Sequence, residues 1–111
     1  KKGINRYGFF ILPMDEALAT VAIDFSGRYA FTFDCGFRRE KIGDLSTELV
    51  YDFWNAFAQS AKTNLYMKVE NGRNDHHKIE GIFKAAARAI RMACEIDKRA
   101  NDSLPSTKGI L

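Results

Sequence analysis

The chain has 111 residues, a formal net charge of +3, 46% hydrophobic and 28% charged residues. That is enough for one small domain or one half of a larger one, and a chain this short leaves enough surface that a partner half or self-association is expected. No window approaches the roughly 18 apolar residues of a membrane span, so no membrane partner is expected.

Cys35 and Cys94 stand in no CxxC arrangement, which argues against a disulfide framework or a thiolate zinc site and for a reducing, cytoplasmic setting. The mild basicity suits a small anionic ligand. The densest basic cluster, Arg38-Arg39-Glu40-Lys41, is interrupted by an acid, so nucleic acid is not the expected partner.

Residues 1–8, KKGINRYG, read as the end of something earlier, with Gly3 suited to cap a preceding helix. The chain starts without Met or an apolar leader, as a processed or excised polypeptide would. Phe9–Leu12 is a short apolar run stopped by Pro13. From Ala17 to Phe25 the residues alternate with a period of two, as do Tyr29 to Phe37. With Ser26-Gly27-Arg28 between them, the two runs predict a β-hairpin.

Arg38 to Leu45 reads as a loop. Ser46 or Thr47 can cap a helix through Tyr51 to Ala61, whose Leu49, Val50, Phe53, Trp54, Phe57 and Ala58 form one wide apolar face. Asn64–Val69 predicts a third strand, and Glu70-Asn71-Gly72-Arg73 a turn. A second helix starts at Asn74 or Asp75 and runs to about Ile96. The order β-β-α-β-α predicts an α+β unit, a small sheet with two helices packed on one face.

At about 100° per residue, taking His76 as zero, Ile79, Ile82, Phe83, Ala86, Ile90 and Ala93 of this second helix occupy roughly 240–340°. His76, His77, Glu80 and Lys84 occupy roughly 0–100°, a polar stripe beside the core face. Two imidazoles with a carboxylate three or four residues on form a donor set for manganese, iron, cobalt or zinc. The adjacent histidines diverge by about 100°, so each would serve a different ion. Lys84, one turn beyond Glu80, can hold a phosphate. The bland alternative is a solvated helix start with two exposed histidines, and the spacing HHxxE does not by itself decide between them.

The stretch GRNDHHKIEGIFKAAARAI resembles the second histidine motif of imidazoleglycerol-phosphate dehydratases. GINRYG, PMDEAL, DFSGR, KIGDLSTELV and PSTKGIL also resemble stretches of that family, in the same order. The resemblance implies the C-terminal half, residues 1–111, of a duplicated ribosomal-protein-S5-domain-2-like fold whose N-terminal half is absent from this chain. It implies a hydro-lyase of histidine biosynthesis that dehydrates D-erythro-imidazoleglycerol phosphate to imidazoleacetol phosphate. It further implies two Mn2+ per active site, which stabilise an imidazolate form of the substrate, and a homo-oligomeric 24-mer.

Matched position by position, His76, His77 and Glu80 are implied metal ligands and catalytic residues, Glu80 also moving a proton. Arg6, Arg28, Lys84, Ser106 and Lys108 match the substrate phosphate site. Asp52 stands where some members have a ligand histidine, and either ligates through oxygen or leaves that position vacant. Tyr66 replaces a histidine of many members, which marks that position as dispensable. For Asp15 and Glu16 the expectation is a turn or structural role. The competing classes are a nucleic-acid-binding α+β module and a non-catalytic metal-binding protein.

Overall fold

The computed structural model of the chain describes residues 3–98. Its first strand, β1 (Tyr7–Met14), is longer than the apolar run Phe9–Leu12 expected before Pro13. Pro13 lies inside β1, opposite Leu18 of β2 (Ala17–Asp24). β1 is the edge of the sheet, where part of the N–H row has no ladder partner and a residue without an N–H is tolerated. The two-residue turn Asp15-Glu16 folds β1 back onto β2 in antiparallel register, Met14 opposite Ala17 and Tyr7 opposite Asp24. Asp15 adopts φ 51°, a left-handed conformation that Asp tolerates better than most residues.

The expected hairpin between the second and third runs does not form. β3 (Ala30–Asp34) is separated from β2 by β6 (Asn64–Glu70), giving the order β1-β2-β6-β3. β6 is antiparallel to β2 and parallel to β3. A period of two shows which side chains face the core but not which strand lies alongside. The buried Thr63 seats β6 in the gap. Its hydroxyl donates to Asp24 O at 2.6 Å, and its carbonyl accepts the Ala30 N–H at 3.2 Å.

Between β3 and α1 (Thr47–Ala61) the loop carries a two-stranded ribbon, β4 (Lys41–Ile42) and β5 (Leu45–Ser46). Ser46 caps α1, its hydroxyl accepting from the Glu48 N–H. α1 provides the crossover that parallel strands β3 and β6 require. Both helices contribute to one core. Val50, Trp54 and Ala58 of α1 join Ala19, Val21 and Ile23 of β2, Leu65 and Met67 of β6, and Ile79, Ile82 and four alanines of α2 (Asp75–Cys94). The α+β class is therefore as expected, with one strand more in the main sheet and a separate two-stranded ribbon. Among the described residues no helix is long and apolar enough to cross a membrane.

α2 ends at Cys94, before the expected Ile96. Ile79, Ile82, Ala86 and Ala93 of its expected core face are buried, but the buried face is shifted toward smaller residues. Ala85, Ala89 and Gly81 are buried, whereas Phe83 is 38% exposed and packs beside Phe53 and Trp54. The cause is close approach of β1. A Cβ on Gly8 would lie 2.0 Å from the Ala89 carbonyl oxygen, so only small residues fit along this contact. At the far end, residues 3–6 close over the last turn of α2. Asn5 N–H donates to Glu95 O, its side-chain amide to Met92 O, and Arg6 N–H to Ala93 O, each at 2.9 Å. These bonds satisfy carbonyls that a helix end leaves unpaired. The Gly3 carbonyl accepts a hydrogen bond from the Asp97 N–H.

The first turn of α2 is anchored by two buried charges, Asp75 (2% exposed) and Lys78 (4%). Asp75 accepts the backbone N–H groups of Arg38 and Arg39, the shortest bond being 2.7 Å. Lys78 Nζ donates to Gly36 O at 2.8 Å and stands 3.7 Å from Asp75 Oδ1. Removing one partner of a buried pair leaves the other charge uncompensated, so Lys78→Met is expected to destabilise the fold by about 3–5 kcal/mol. Denaturant unfolding of Lys78→Met, Asp75→Asn and the double variant checks this. The double variant should lose less than the two singles combined.

Candidate functional site

Three local devices fix the start of α2 and with it the polar stripe. Asn74 caps the helix, its side-chain oxygen accepting the His77 N–H at 3.1 Å. The buried Asp75 and Lys78 hold the loop at residues 36–39 against the inner side of the first turn. On another side, Glu16 Oε2 accepts the N–H groups of Arg73 at 3.1 Å and Asn74 at 2.8 Å, which ties the β1–β2 turn to the helix entry.

On this base the two histidines part. His76 Nε2 lies 3.2 Å from Glu80 Oε1. Glu80 Oε2 is 2.9 Å from Lys84 Nζ, so the chain His76–Glu80–Lys84 runs along two turns of the outer face. His77 turns toward the hairpin instead, Nδ1 2.8 Å from Glu16 Oε1 and Nε2 3.1 Å from Asp15 Oδ2. The two imidazole rings are 6.2 Å apart and nearly perpendicular, at 89°. Their divergence is that expected of neighbours on a helix.

The charges follow from these contacts. Glu16 is held down to about 2, chiefly by the Asn74 N–H and then by His77. The hydrogen bond to Glu16 raises His77 above the usual imidazole value. Glu80 is lowered, first by its hydrogen bond with Lys84 and by that lysine's charge. Both carboxylates are therefore anionic and accept hydrogen bonds or a cation.

Among the described residues no three His, Cys, Asp or Glu side chains converge on one point. Each histidine instead has one carboxylate at its Nε2, Glu80 for His76 and Asp15 for His77. Each pair is an imidazole-plus-oxygen set of the kind that suits manganese, and each is open to further ligands. The donor chemistry of each pair thus fits a divalent ion.

The remaining sequence candidates lie elsewhere. Asp52 is exposed on α1 and does not join the histidine cluster. Arg6 precedes β1 at φ 75°, its guanidinium paired with Asp24 at 2.7 and 3.3 Å and lying 5.0 Å from the Tyr7 ring centre. Arg28 is exposed in the link between β2 and β3, its N–H donating to Ser26 Oγ. Asp24 ends β2 opposite Tyr7, whereas Asp15 and Glu16 sit at the other end of the same hairpin. Seven strand steps of about 3.4 Å separate the two ends by roughly 24 Å. One chain therefore brings together His76, His77, Glu80 and Lys84 but not Arg6 or Arg28. Ser106 and Lys108 lie outside the described residues.

Asp15 and Glu16 form the expected turn and, beyond that, both reach His77. The available signal was positional. Two acids between two alternating runs, with the first run read as a strand, would have placed both at a hairpin tip. Nothing local in the sequence connects that tip to His77, 61 residues from Glu16.

A family model described as imidazoleglycerol-phosphate dehydratase matches residues 1–90. The histidine biosynthesis bifunctional protein HisB of Spirosoma linguale is 60% identical over the whole of this chain, which covers 28% of that protein. An imidazoleglycerol-phosphate dehydratase of Clostridium botulinum is 54% identical over the whole chain, covering 56% of the relative. The crystal structure of imidazoleglycerol-phosphate dehydratase from Staphylococcus aureus superposes with a TM-score of 0.84 at 42% identity, covering 86% of this chain and 56% of that one. The chain thus spans no more than about half the length of these relatives. With matched motifs, fold and relatives in agreement, the chain belongs to the imidazoleglycerol-phosphate dehydratase family.

Proposed function

We propose that the chain is the C-terminal half of a hydro-lyase domain that removes water from D-erythro-imidazoleglycerol phosphate in cytoplasmic histidine biosynthesis. One observation carries this reading. His76, His77, Glu80 and Lys84 lie together on the stripe at the start of α2, metal donors at one end and a phosphate-binding cation at the other. Two manganese ions are the metals of this proposal, His76 with Glu80 contributing to one and His77 to the other. Manganese, when bound, supplies a Lewis acid that stabilises negative charge on the substrate imidazole.

The chain's own residues do the rest. Glu80 is anionic, so it can take a proton from the substrate carbon and return one to the departing hydroxyl, a task for which Lys84 lowers its basicity. Lys84 has three N–H donors and can hold Glu80 and a phosphate oxygen together. Fixing the phosphate orients the imidazole end, which turns encounter into positioned reaction.

The distance between the two ends of the hairpin supports a site assembled from several chains. Arg6 and Arg28 belong to the proposed phosphate site but stand far from His76 and His77 of the same chain. A homo-oligomer, the 24-mer that the family resemblance implies, supplies one end from one subunit and the other from its neighbour. Asp52, Ser106 and Lys108 belong to this proposal on the resemblance alone.

Three outcomes are expected. The 111-residue chain by itself should show no turnover of imidazoleglycerol phosphate, because each histidine set is incomplete; measurable turnover would contradict this. In the complete protein, elemental analysis should show His76→Ala and His77→Ala each losing part of the bound manganese. If neither variant changes the metal content, the two-ion assignment fails. Lys84→Ala removes a charge-assisted hydrogen bond of about 1.5–3 kcal/mol, so KM should rise about 10- to 150-fold with manganese content unchanged. Steady-state kinetics with an unaltered KM would discard the phosphate role.

A further inference from the structure

Glu16 divides its two carboxylate oxygens between two tasks. Oε2 accepts from the Arg73 and Asn74 N–H groups at 3.1 and 2.8 Å. That fixes the carboxylate to the backbone at the helix start, whatever His77 does. Oε1 then lies 2.8 Å from His77 Nδ1. An ionised carboxylate can only accept, so the ring nitrogen facing it carries the proton. The lone pair of the neutral ring is thereby assigned to Nε2, which faces Asp15 Oδ2 at 3.1 Å. A lone pair directed at an anionic oxygen is unfavourable unless a cation lies between them, which marks the side of the ring where positive charge is drawn.

We propose that Glu16 is a positioning residue: it holds His77 in the Nδ1–H tautomer and aims Nε2 at the metal. The inference rests on the manganese reading for its purpose but not for its geometry. Carboxylates that accept the second ring N–H of a ligand histidine fix both the tautomer and the orientation of the ring, and their loss costs about 10- to 100-fold in metal affinity. Glu16 is placed to do so from the β1–β2 turn, an element separate from the helix that carries the ligand. The hairpin would thus have a function beyond closing the sheet edge.

The substitution Glu16→Gln gives a distinctive outcome. A glutamine has one acceptor oxygen, and two backbone N–H groups claim it. Its amide NH2 then faces His77 and donates to Nδ1, which moves the ring proton to Nε2. In the full-length protein labelled with 15N-histidine, the His77 signals are those missing from His77→Ala. With the ring neutral and no metal added, they should show a protonated Nδ1 and an unprotonated Nε2, and the reverse in Glu16→Gln. Manganese affinity, titrated by electron paramagnetic resonance, should fall about 10- to 100-fold in Glu16→Gln and less in Glu16→Asp, which keeps two acceptor oxygens. A wild-type ring protonated at Nε2 overturns the proposal without need of any Glu16 variant. So does a Glu16→Gln protein with unchanged tautomer and affinity. If His77→Ala binds manganese as tightly as wild type, the metal reading fails, and the tautomer result separately decides whether Glu16 orients the ring.

Discussion

The buried pair of Asp75 and Lys78 is the constraint on which the site depends. Two charges lie in the first turn of α2 with almost no exposure, and their hydrogen bonds go to the loop at residues 36–39. Charges are costly to bury unless every group is paired, so this arrangement tolerates little displacement. It fixes how far α2 is rotated about its own axis. With Asp75 and Lys78 turned inward, His76 must point outward, and His77 must point toward the β1–β2 turn. The direction of each functional side chain is set by neighbours in sequence that do no chemistry themselves.

A second constraint acts along the length of the helix. Gly8 lets β1 press against the backbone of α2 near Ala89, and residues 3–6 close the helix C-terminus. Small residues therefore fill the contact, and the larger Phe83 is turned aside to stack near Phe53 and Trp54. The helix is held by its charges at one end and by backbone contact at the other. Glu16 adds a third point, joining the hairpin tip to the helix entry through Arg73 and Asn74. The polar stripe of His76, His77, Glu80 and Lys84 is thus fastened at the end where its residues lie.

Much of this was legible in the residues. Ser46 and Asn74 mark their helix starts because a short polar side chain before an apolar period satisfies orphan N–H groups. The strands β2 and β6 and the divergence of His76 and His77 follow from periodicity alone. Other features were not legible, each for a physical reason. Pro13 reads as a stop, and only the sheet order shows that it lies in an edge strand, where it does little harm. Strand neighbours depend on long-range pairing, which here inserts β6 between β2 and β3 through Thr63. The burial of Lys78 contradicts its usual preference for water, and only the carbonyl of Gly36 and the carboxylate of Asp75 make it possible. Asp15 and Glu16 belong with these, since their link to His77 spans most of the chain.

The shape of the unit explains why its functional residues are divided. α2 and the β1–β2 hairpin are both rods, and both put His77 and Glu16 at one end and Arg6 at the other. A helix of 20 residues is about 30 Å long, more than a small phosphorylated substrate can bridge. No rearrangement of side chains brings Arg6 to His77 while the core stays intact, since the same contacts that fix the histidines hold the two ends apart. A substrate that needs both ends must find the second on another chain. On the proposed function, association supplies the missing end, since a single copy holds Arg6 and His77 at opposite ends of the hairpin.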